Sequence, residues 1–485
     1  MKLSQLLKNC NIKYDGKDVE IEGISFDSRK VKNGDLYVSL KGKYNGNDYI
    51  IDAINNGAVA IVCEDNIKST VPLIVVENTR IALSQISKVF YNNACDDMTI
   101  IMVTGTNGKT SITYMLNSIL KENHTRCAII GTNGIFVDKK QLYYGLTTPD
   151  PVDLHYYFQV LKNMGVTHIV MEASAHSIYL HKLYGITPKA IIFTNLTNEH
   201  LDYFGSMEKY ADTKIGYINS LNAIKIVNID DEYSKQIVGD EVLYYGLKNP
   251  SDAFAINIKD CINGLEFCAN VMDNIFNIKS GLSGVYNVYN LLASITCAYC
   301  LGIDNKIIEN GIKNLKNIPG RFNKFFLDLN RLIVVDFAHT PDGFEKVLSE
   351  IKLFRSNRII TIFGCVGYSD KYKRKLMGEI ASKYSYKIIL TTDNIGYEDI
   401  RNVNKDIASG ISVPYTEIDD RSKAIQYAFQ DFLPNDTIVI LGKGCETSNL
   451  INGVKVPYSD IKQVEKTIEE YFNVKKGENI EDSIV

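Results

Sequence analysis

TIIMVTGTNGKTSITYML, Thr99 to Leu116, is the stretch on which the reading of the whole chain turns. Ile100, Ile101, Met102 and Val103 form an apolar, largely β-branched run of the kind that makes a buried strand. A glycine-containing turn follows, Gly105-Thr106-Asn107-Gly108-Lys109-Thr110, and the residues after it have helical periodicity. A strand, a glycine loop and a helix in this order form a cradle for phosphate. The glycines let backbone N–H groups turn toward the anion, and the helix N-terminus adds positive potential. In such a cradle Lys109 reaches the β- and γ-phosphates and the Thr110 hydroxyl meets Mg²⁺. The usual spacing is G-x-x-x-x-G-K-[ST], and here Val103 stands at the first glycine. A chance glycine turn before a helix is the plain alternative. Strand, Gly-Lys-Thr and helix in register favour an ATP site.

The rest of the composition sets limits. The chain has 485 residues, enough for about two to four domains that each bury a core. Hydrophobic residues make up 45% and charged residues 23%, and the net charge of −4 argues against a nucleic-acid or anionic-membrane footprint. No apolar run approaches the roughly 18 residues of a spanning helix, and the start MKLSQLLKNCNIKYDG lacks a signal-peptide core. A cytoplasmic protein without nucleic-acid or membrane partners is expected. Ten cysteines are scattered along the chain, and a chain of this size does not need a disulfide framework. Cys297 and Cys300 form a CxxC inside the apolar run NLLASITCAYCLGI, where core packing explains them better than metal binding. The polar tail KKGENIEDSIV is expected to fray.

Three blocks follow from the strand and helix signals. Residues 1–93 carry short alternating strands (VEIEGISF, GDLYVSL, AVAIVCE, PLIVVEN) and a helix before Cys95. Residues 94–318 begin with the phosphate loop and alternate strand-like runs such as THIVME and AIIFTNL with helices, which predicts a parallel sheet. Residues 319–485 place RLIVVDF, RIITIFG, YKIILTT and DTIVILG at βα spacing, a second nucleotide-type, Rossmann-like α/β sheet. The fold class is α/β in three domains.

Within the central block, HIVMEASAH sets Glu172 at the C-terminal end of a strand, where a second Mg²⁺ ligand opposite Thr110 belongs. A buried glutamate with a structural partner is the alternative. Farther on, FTNLTNEHLDYFGSMEKYADTK runs a strand into a polar loop with His200 and Asp202 and reaches Lys214. A histidine at the carboxyl end of a sheet strand sits where ligands collect. Lys214 reads equally as a solvated helix lysine or as a site group.

These motifs carry a resemblance. GTNGKT, TTPD (Thr147–Asp150), EASAHS (Glu172–Ser177) and TNEHLDYFGSMEKYADTK are similar to the central domain of the Mur ligases. DSRKVKNGDLYVSLKG (Asp27–Gly42) resembles the uridine-nucleotide domain of the MurE and MurF branches. PGR (Pro319–Arg321), DFAHTPDG, FGC, KRKLMG, GKG-E and VPYSD complete a match, closest to MurE, over about residues 20–460. The resemblance implies an ATP-dependent amide ligase that joins an amino acid to UDP-MurNAc-L-Ala-D-Glu through an acyl phosphate in peptidoglycan precursor synthesis. Its domains would be a UDP-binding one, a phosphate-loop ATPase and an amino-acid-binding one. It further implies that Gly105, Thr106, Asn107, Gly108, Lys109, Thr110, Asn290, Arg321, Asp336 and His339 contact ATP. Thr110, Glu172, His200 and a carbamylated Lys214 would hold Mg²⁺, with Lys109, His200 and Lys214 catalytic. Ser28 would contact uridine, and Thr147, Thr148, Ser174 and Lys182 the UDP-MurNAc-dipeptide. Ser369, Asn394, Gly442 and Glu446 would meet the amino acid, and the ligase is expected to be a monomer.

The amino-acid end departs from the pattern. Diaminopimelate-adding members carry D-N-P-R where this chain has Asp393-Asn394-Ile395-Gly396, and an arginine of the preceding loop is Ser369. Cys445 replaces the histidine of G-K-G-H-E, and Lys182 stands where arginine is expected. Charge-assisted hydrogen bonds contribute roughly 1.5–3 kcal/mol each, so losing two arginines would cost about 10²–10⁴ in affinity. The expectation is that diaminopimelate is a poor substrate and that Lys443 is a candidate to hold an acceptor carboxylate instead. A paralogue forming an amide on another carboxylate is the alternative. A phosphate-loop switch or kinase leaves the third block unexplained, and a folylpolyglutamate-synthase-like enzyme would lack the first.

Overall fold

The computed structural model describes residues 1–481 except Lys43, Lys139, His200, Ser356, Ser369 and Asp370. It divides into two compact units. The first comprises Met1–Ile256, Cys268–Asn277 and Val288–Ile312, and the second Asn257–Phe267, Ile278–Asn287 and Lys313–Val485. Among the described residues no helix is long and apolar enough to cross a membrane.

The first unit opens with a four-stranded, all-parallel sheet of Gly23–Ser25, Asp35–Val38, Ala60–Cys63 and Leu73–Val75, neighbours in chain order. The short alternating strands Asp35–Val38 and Ala60–Cys63 are buried along their whole length. The alternation separates two cores. Leu36, Val38, Ala60 and Val62 pack with Leu3, Leu6, Leu83 and Ile86, while Tyr37, Ile61 and Cys63 pack with Ile50 and Ala53. Parallel strands covered by helices on both faces lose their polar face. The helix Thr79–Phe90 starts where the Asn78 side chain accepts the N–H groups of Arg80 and Ile81. Its Ser84 Oγ then donates to His181 O at 2.8 Å and its Lys88 Nζ to Gly185 O at 2.8 Å, tying this sheet to a turn of the central one.

The central sheet runs, from its antiparallel edge inward, Lys140–Tyr143, Gly134–Val137, Cys127–Gly131, His168–Glu172, Thr99–Thr104, Ala190–Phe193, Ile224–Asn228 and Val242–Gly246. From Cys127–Gly131 to Val242–Gly246 every pairing is parallel. The carboxyl ends of Thr99–Thr104, His168–Glu172 and Ala190–Phe193 therefore lie side by side, the place where open α/β sheets bind ligands. Helices on both sides seal the sheet, among them Pro151–Asn163, which contributes Leu154, Phe158 and Leu161 to the core. Cys297 is wholly buried in the helix Val285–Cys300.

The second unit holds a six-stranded sheet ordered Asn323–Phe326, Leu332–Asp336, Thr437–Leu441, Ile359–Phe363, Lys387–Leu390 and Tyr415–Glu417. All its pairs are parallel except the first. The strand from DTIVILG is inserted between those from RLIVVDF and RIITIFG. This brings the loops after Asp336, Phe363, Leu390 and Leu441 to one end. Of the tail expected to fray, residues 475–481 instead continue the helix Asp460–Glu481, and residues 482–485 lie outside the described residues. That helix packs Val464 into the core beside Phe429 and Ile425, so its later turns extend an existing nucleus.

Phe158→Ala removes a ring that is 0% exposed. It should destabilise the protein by about 3–5 kcal/mol in a urea titration, with secondary structure retained in water.

Candidate active site

The phosphate loop leaves the strand Thr99–Thr104 and enters the helix Lys109–Glu122 through two residues with left-handed φ, Gly105 at 138° and Gly108 at 88°. Space as well as conformation demands glycine. A Cβ on Gly105 would lie 1.9 Å from Thr194 Oγ1, and one on Gly108 would lie 2.5 Å from Asn290 Oδ1. The end of the neighbouring strand moulds the loop. Thr194 Oγ1 donates to Asn107 O (2.6 Å), Thr106 N donates to Asn195 O (2.7 Å) and Asn107 N to Asn195 Oδ1 (3.0 Å). Asn290, from the helix Val285–Cys300, thus stands against the loop. The Lys109 ammonium folds over the loop, donating to Gly105 O (2.9 Å) and Thr106 O (2.7 Å).

Glu172 ends its strand 1% exposed, and its carboxylate is shared among neighbouring strand ends. Oε1 accepts from Thr110 Oγ1 (2.8 Å) and Thr132 N (2.9 Å), and Oε2 from Thr132 Oγ1 (3.1 Å). The Thr110 hydroxyl and the Glu172 carboxylate are two hard oxygen donors converging beside the phosphate loop, a set suited to a divalent cation.

Lys214 lies on the helix Met207–Ser220 and is 1% exposed, which removes its reading as a solvated lysine. Its Nζ donates to the Tyr210 hydroxyl at 2.8 Å, and that hydroxyl is 3.2 Å from Thr106 Oγ1. Burial first, and the Lys109 charge second, drive the Lys214 amine well below the usual lysine range. A shift in this direction favours the uncharged, nucleophilic amine over the ammonium.

Around the carboxyl ends of the same sheet lie the residues assigned to the muramoyl-dipeptide. Thr148 Oγ1 donates to Glu172 O (2.9 Å) and to Ser174 Oγ (3.3 Å), and Thr147 Oγ1 is 3.3 Å from Thr132 Oγ1. Ser174 caps the helix Ala175–Tyr179 by accepting from Ser177 N. Lys182 Nζ pairs with Asp150 Oδ1 at 2.7 Å. Ser28 is buried at the start of a short turn, and its carbonyl accepts from Asn56 Nδ2 at 3.0 Å.

In the second unit Arg321, Asp336 and His339 gather at one strand end. Asp336 accepts from Phe322 N (2.6 Å) and Ala338 N (2.7 Å), and burial raises its pKa against the Arg321 charge. Arg321 lies over the Phe337 ring at 4.6 Å, and Phe337 O is 3.0 Å from His339 Nδ1. Asn394 Nδ2 donates to Glu446 Oε2 (2.7 Å), and Gly442, with φ 111°, begins the loop that carries Glu446. Lys443 is not the spare cation expected for an acceptor carboxylate. It is 0% exposed, and its Nζ is 2.6 Å from Glu446 Oε2, 3.1 Å from Asn394 Oδ1 and 3.6 Å from Asp393 Oδ1. Gly396 holds a left-handed φ of 60°, and a Cβ there would meet nothing closer than Tyr368 at 3.8 Å. His200 and Ser369 lie outside the described residues.

Sequence reasoning passed over Tyr210, Thr132, Thr194 and Asp150. Tyr210 was findable, since it stands four residues before Lys214 and so on the same helix face. The others sit just past strand ends or in a tetrapeptide already quoted, and only the sheet order shows what they touch. Gly105→Ala should leave the fold intact and weaken ADP binding at least about tenfold by calorimetry, because the loop has to move off Thr194 to admit the methyl.

The chain matches three family descriptions in succession: "Mur ligase family, catalytic domain" over residues 20–91, "Mur ligase middle domain" over 103–298 and "Mur ligase, glutamate ligase domain" over 320–444. It is 37% identical to the UDP-N-acetylmuramoyl-L-alanyl-D-glutamate–2,6-diaminopimelate ligase of Caldanaerobacter subterraneus subsp. tengcongensis, over 93% of this chain and 95% of that one. A solved structure titled for the same ligase superposes with a TM-score of 0.70 at 30% identity, covering 96% of this chain and 99% of the other. The MurF ligase of Thermotoga maritima, solved in complex with ADP, shares the fold, with a TM-score of 0.61 at 20% identity over 93% and 98% of the two chains. The chain belongs to the Mur ligase family, among its ATP-dependent acid–amino-acid ligases of the MurE type.

Proposed function

We propose that this ligase joins the glutamate carboxylate of UDP-MurNAc-L-Ala-D-Glu to an amine of diaminopimelate, using ATP and Mg²⁺, in the cytoplasm. The observation that carries the chemistry is the 2.8 Å contact of Thr110 Oγ1 with the buried Glu172 carboxylate at the mouth of the phosphate loop. The name of the relative matched over nearly its whole length supports the substrates.

The chemistry follows from what a carboxylate lacks. It is a poor acylating agent, so one of its oxygens attacks the γ-phosphorus of ATP, ADP leaves and an acyl phosphate forms. The amine then adds to the acyl carbon, and the tetrahedral adduct collapses to an amide, releasing inorganic phosphate. Mg²⁺ held by Thr110 and Glu172 would neutralise charge on the phosphates. Lys109 has to exchange its two loop carbonyls for phosphate oxygens. The loop N–H groups and the N-terminus of Lys109–Glu122 supply the remaining positive potential. His200 is assigned to a second Mg²⁺. Lys214 is assigned as a carbamate: burial favours its uncharged amine, which would add to CO₂, lose a proton and become a carboxylate beside the phosphate loop. Ser28 is assigned to uridine, and Thr147, Thr148, Ser174 and Lys182 to the muramoyl-dipeptide. Arg321, Asp336 and His339 are assigned with Asn290 to the rest of ATP.

For the amino acid, Asn394, Gly442 and Glu446 supply the contacts, with Ser369 assigned beside them. One observation favours a second reading, an acceptor with no second carboxylate. Gly396 offers no side chain where diaminopimelate-adding members carry arginine, and Lys443 is already neutralised by carboxylates.

Three outcomes check this account. Lys109→Ala should abolish ATP-dependent ligation while the circular dichroism spectrum stays unchanged. Near-normal turnover in that variant would remove the phosphate loop from the mechanism. Lys214→Ala should lose most activity and regain part of it with added short-chain carboxylates, which stand in for the carbamate. For the acceptor, kcat/KM for diaminopimelate should exceed that for lysine, ornithine, serine and alanine by about tenfold or more, the scale of one charge-assisted contact. A preference for lysine or ornithine would select the second reading.

A further inference from the structure

Beneath the acceptor loops of the second unit runs a series of charges that ends at Glu446 and whose buried members the reaction scheme does not use. Arg421, at the start of the helix Arg421–Gln430, is 2% exposed, and Asp460, at the start of Asp460–Glu481, is fully buried. Arg421 Nε and Nη2 each meet one oxygen of the Asp460 carboxylate at 2.8 Å, a two-pronged pair. The guanidinium also reaches two backbone carbonyls. Nη2 donates to Leu441 O at 2.8 Å and Nη1 to Thr392 O at 3.4 Å. Leu441 directly precedes Gly442 and Lys443, and Thr392 directly precedes Asp393 and Asn394. One side chain thus fixes the roots of both loops assigned to the amino acid.

The charges continue upward. Asp393 is 2% exposed and lies 3.6 Å from Lys443, which in turn pairs with Glu446. Glu446 is the partly open end of the series, with its side chain 25% exposed. Three carboxylates (Asp460, Asp393, Glu446) alternate with two cations (Arg421, Lys443). With all five ionised, one negative charge is in surplus, and it emerges at Glu446.

Resting on the ligase reading above, we propose that Arg421 is a positioning residue for the amino-acid acceptor: through Leu441 and Thr392 it sets the two acceptor loops, and through Asp393 it keeps a net negative charge at Glu446 for an ammonium group of the acceptor. Burial first, opposed by the Arg421 and Lys443 charges and helped by Glu446 and Asp460, leaves the Asp393 carboxyl raised to about 6. A group poised there is ionised at pH 7 and protonates just below. When it does, Lys443 is left to Glu446 alone and the surplus charge vanishes. Acceptor KM in the unaltered protein should therefore rise below about pH 6.

The two ends of the buried pair act on Asp393 with opposite sign, which separates positioning from mere scaffolding. Arg421→Gln removes the charge that lowers the Asp393 pKa, so the acid limb of the acceptor kcat/KM profile should move to higher pH. Asp460→Asn removes a charge that raises it, so the limb should move to lower pH. At pH 7, Arg421→Gln should raise acceptor KM by about tenfold or more, while KM for ATP stays within about twofold. Arg421→Lys, which keeps the charge and loses the fork, should return the limb to its original place with KM only partly recovered. If Arg421→Gln does not fold, Asp460→Asn and Arg421→Lys still carry the comparison. The Asp393 carboxyl signal in protein labelled with ¹³C at aspartate, assigned by its loss in Asp393→Asn, reads the same shifts without turnover. Absence of acceptor-dependent phosphate release in the unaltered protein would defeat the ligase reading, and the carboxyl titration would still decide this one. Limbs that move together or stay still, or KM values for ATP and acceptor that rise in parallel, would overturn it.

Discussion

One buried carboxylate holds the central crevice in shape. Glu172 is almost without solvent, and a charged group in that position is tolerated only when its oxygens are hydrogen-bonded. The donors come from two other parts of the sheet: Thr110 from the first turn of the phosphate-loop helix, and Thr132 from the loop after Cys127–Gly131. Satisfying Glu172 therefore fixes the spacing between the phosphate loop and the strand ends beside it. Gly131 belongs to the same constraint, because a Cβ there would lie 2.3 Å from Glu172 Oε1. The parallel order of the strands makes this possible, since it collects their carboxyl ends on one side.

Much of this was legible in the residues themselves. A β-branched run, a glycine loop and a helix follow from local chemistry, and so does a glutamate at a strand end. What stayed hidden depends on neighbours far away in sequence. Nothing near Lys214 announces its burial, and nothing near Gly105 announces Thr194 pressed against it. The first sheet shows the same dependence: alternation in a short strand looks the same whether the second face meets water or, as here, a second core.

The acceptor end shows the same limit more sharply. Lys443 reads in sequence as a candidate to hold an acceptor carboxylate, and only the inserted order of Thr437–Leu441 brings Asp393 to it in addition to its loop neighbour Glu446. A buried ion series of this kind is costly to assemble and strongly destabilising to interrupt. It therefore restrains the loops that carry Asn394 and Glu446, and a change such as Gly396 acts on a rigid frame. The loop after Phe363 also meets the Asn394 loop backbone to backbone, where Gly367 leaves no room for a side chain against Ile395 O.

The central claim is that the phosphate loop activates a substrate carboxylate as an acyl phosphate. The most direct measurement follows the oxygen. With UDP-MurNAc-L-Ala-D-Glu labelled with ¹⁸O in the glutamate side-chain carboxyl group, ATP and diaminopimelate, mass spectrometry of the products locates the label. The account predicts one ¹⁸O transferred to inorganic phosphate for each amide formed from a doubly labelled carboxylate, with none in ADP. Amide formation with unlabelled phosphate would contradict it.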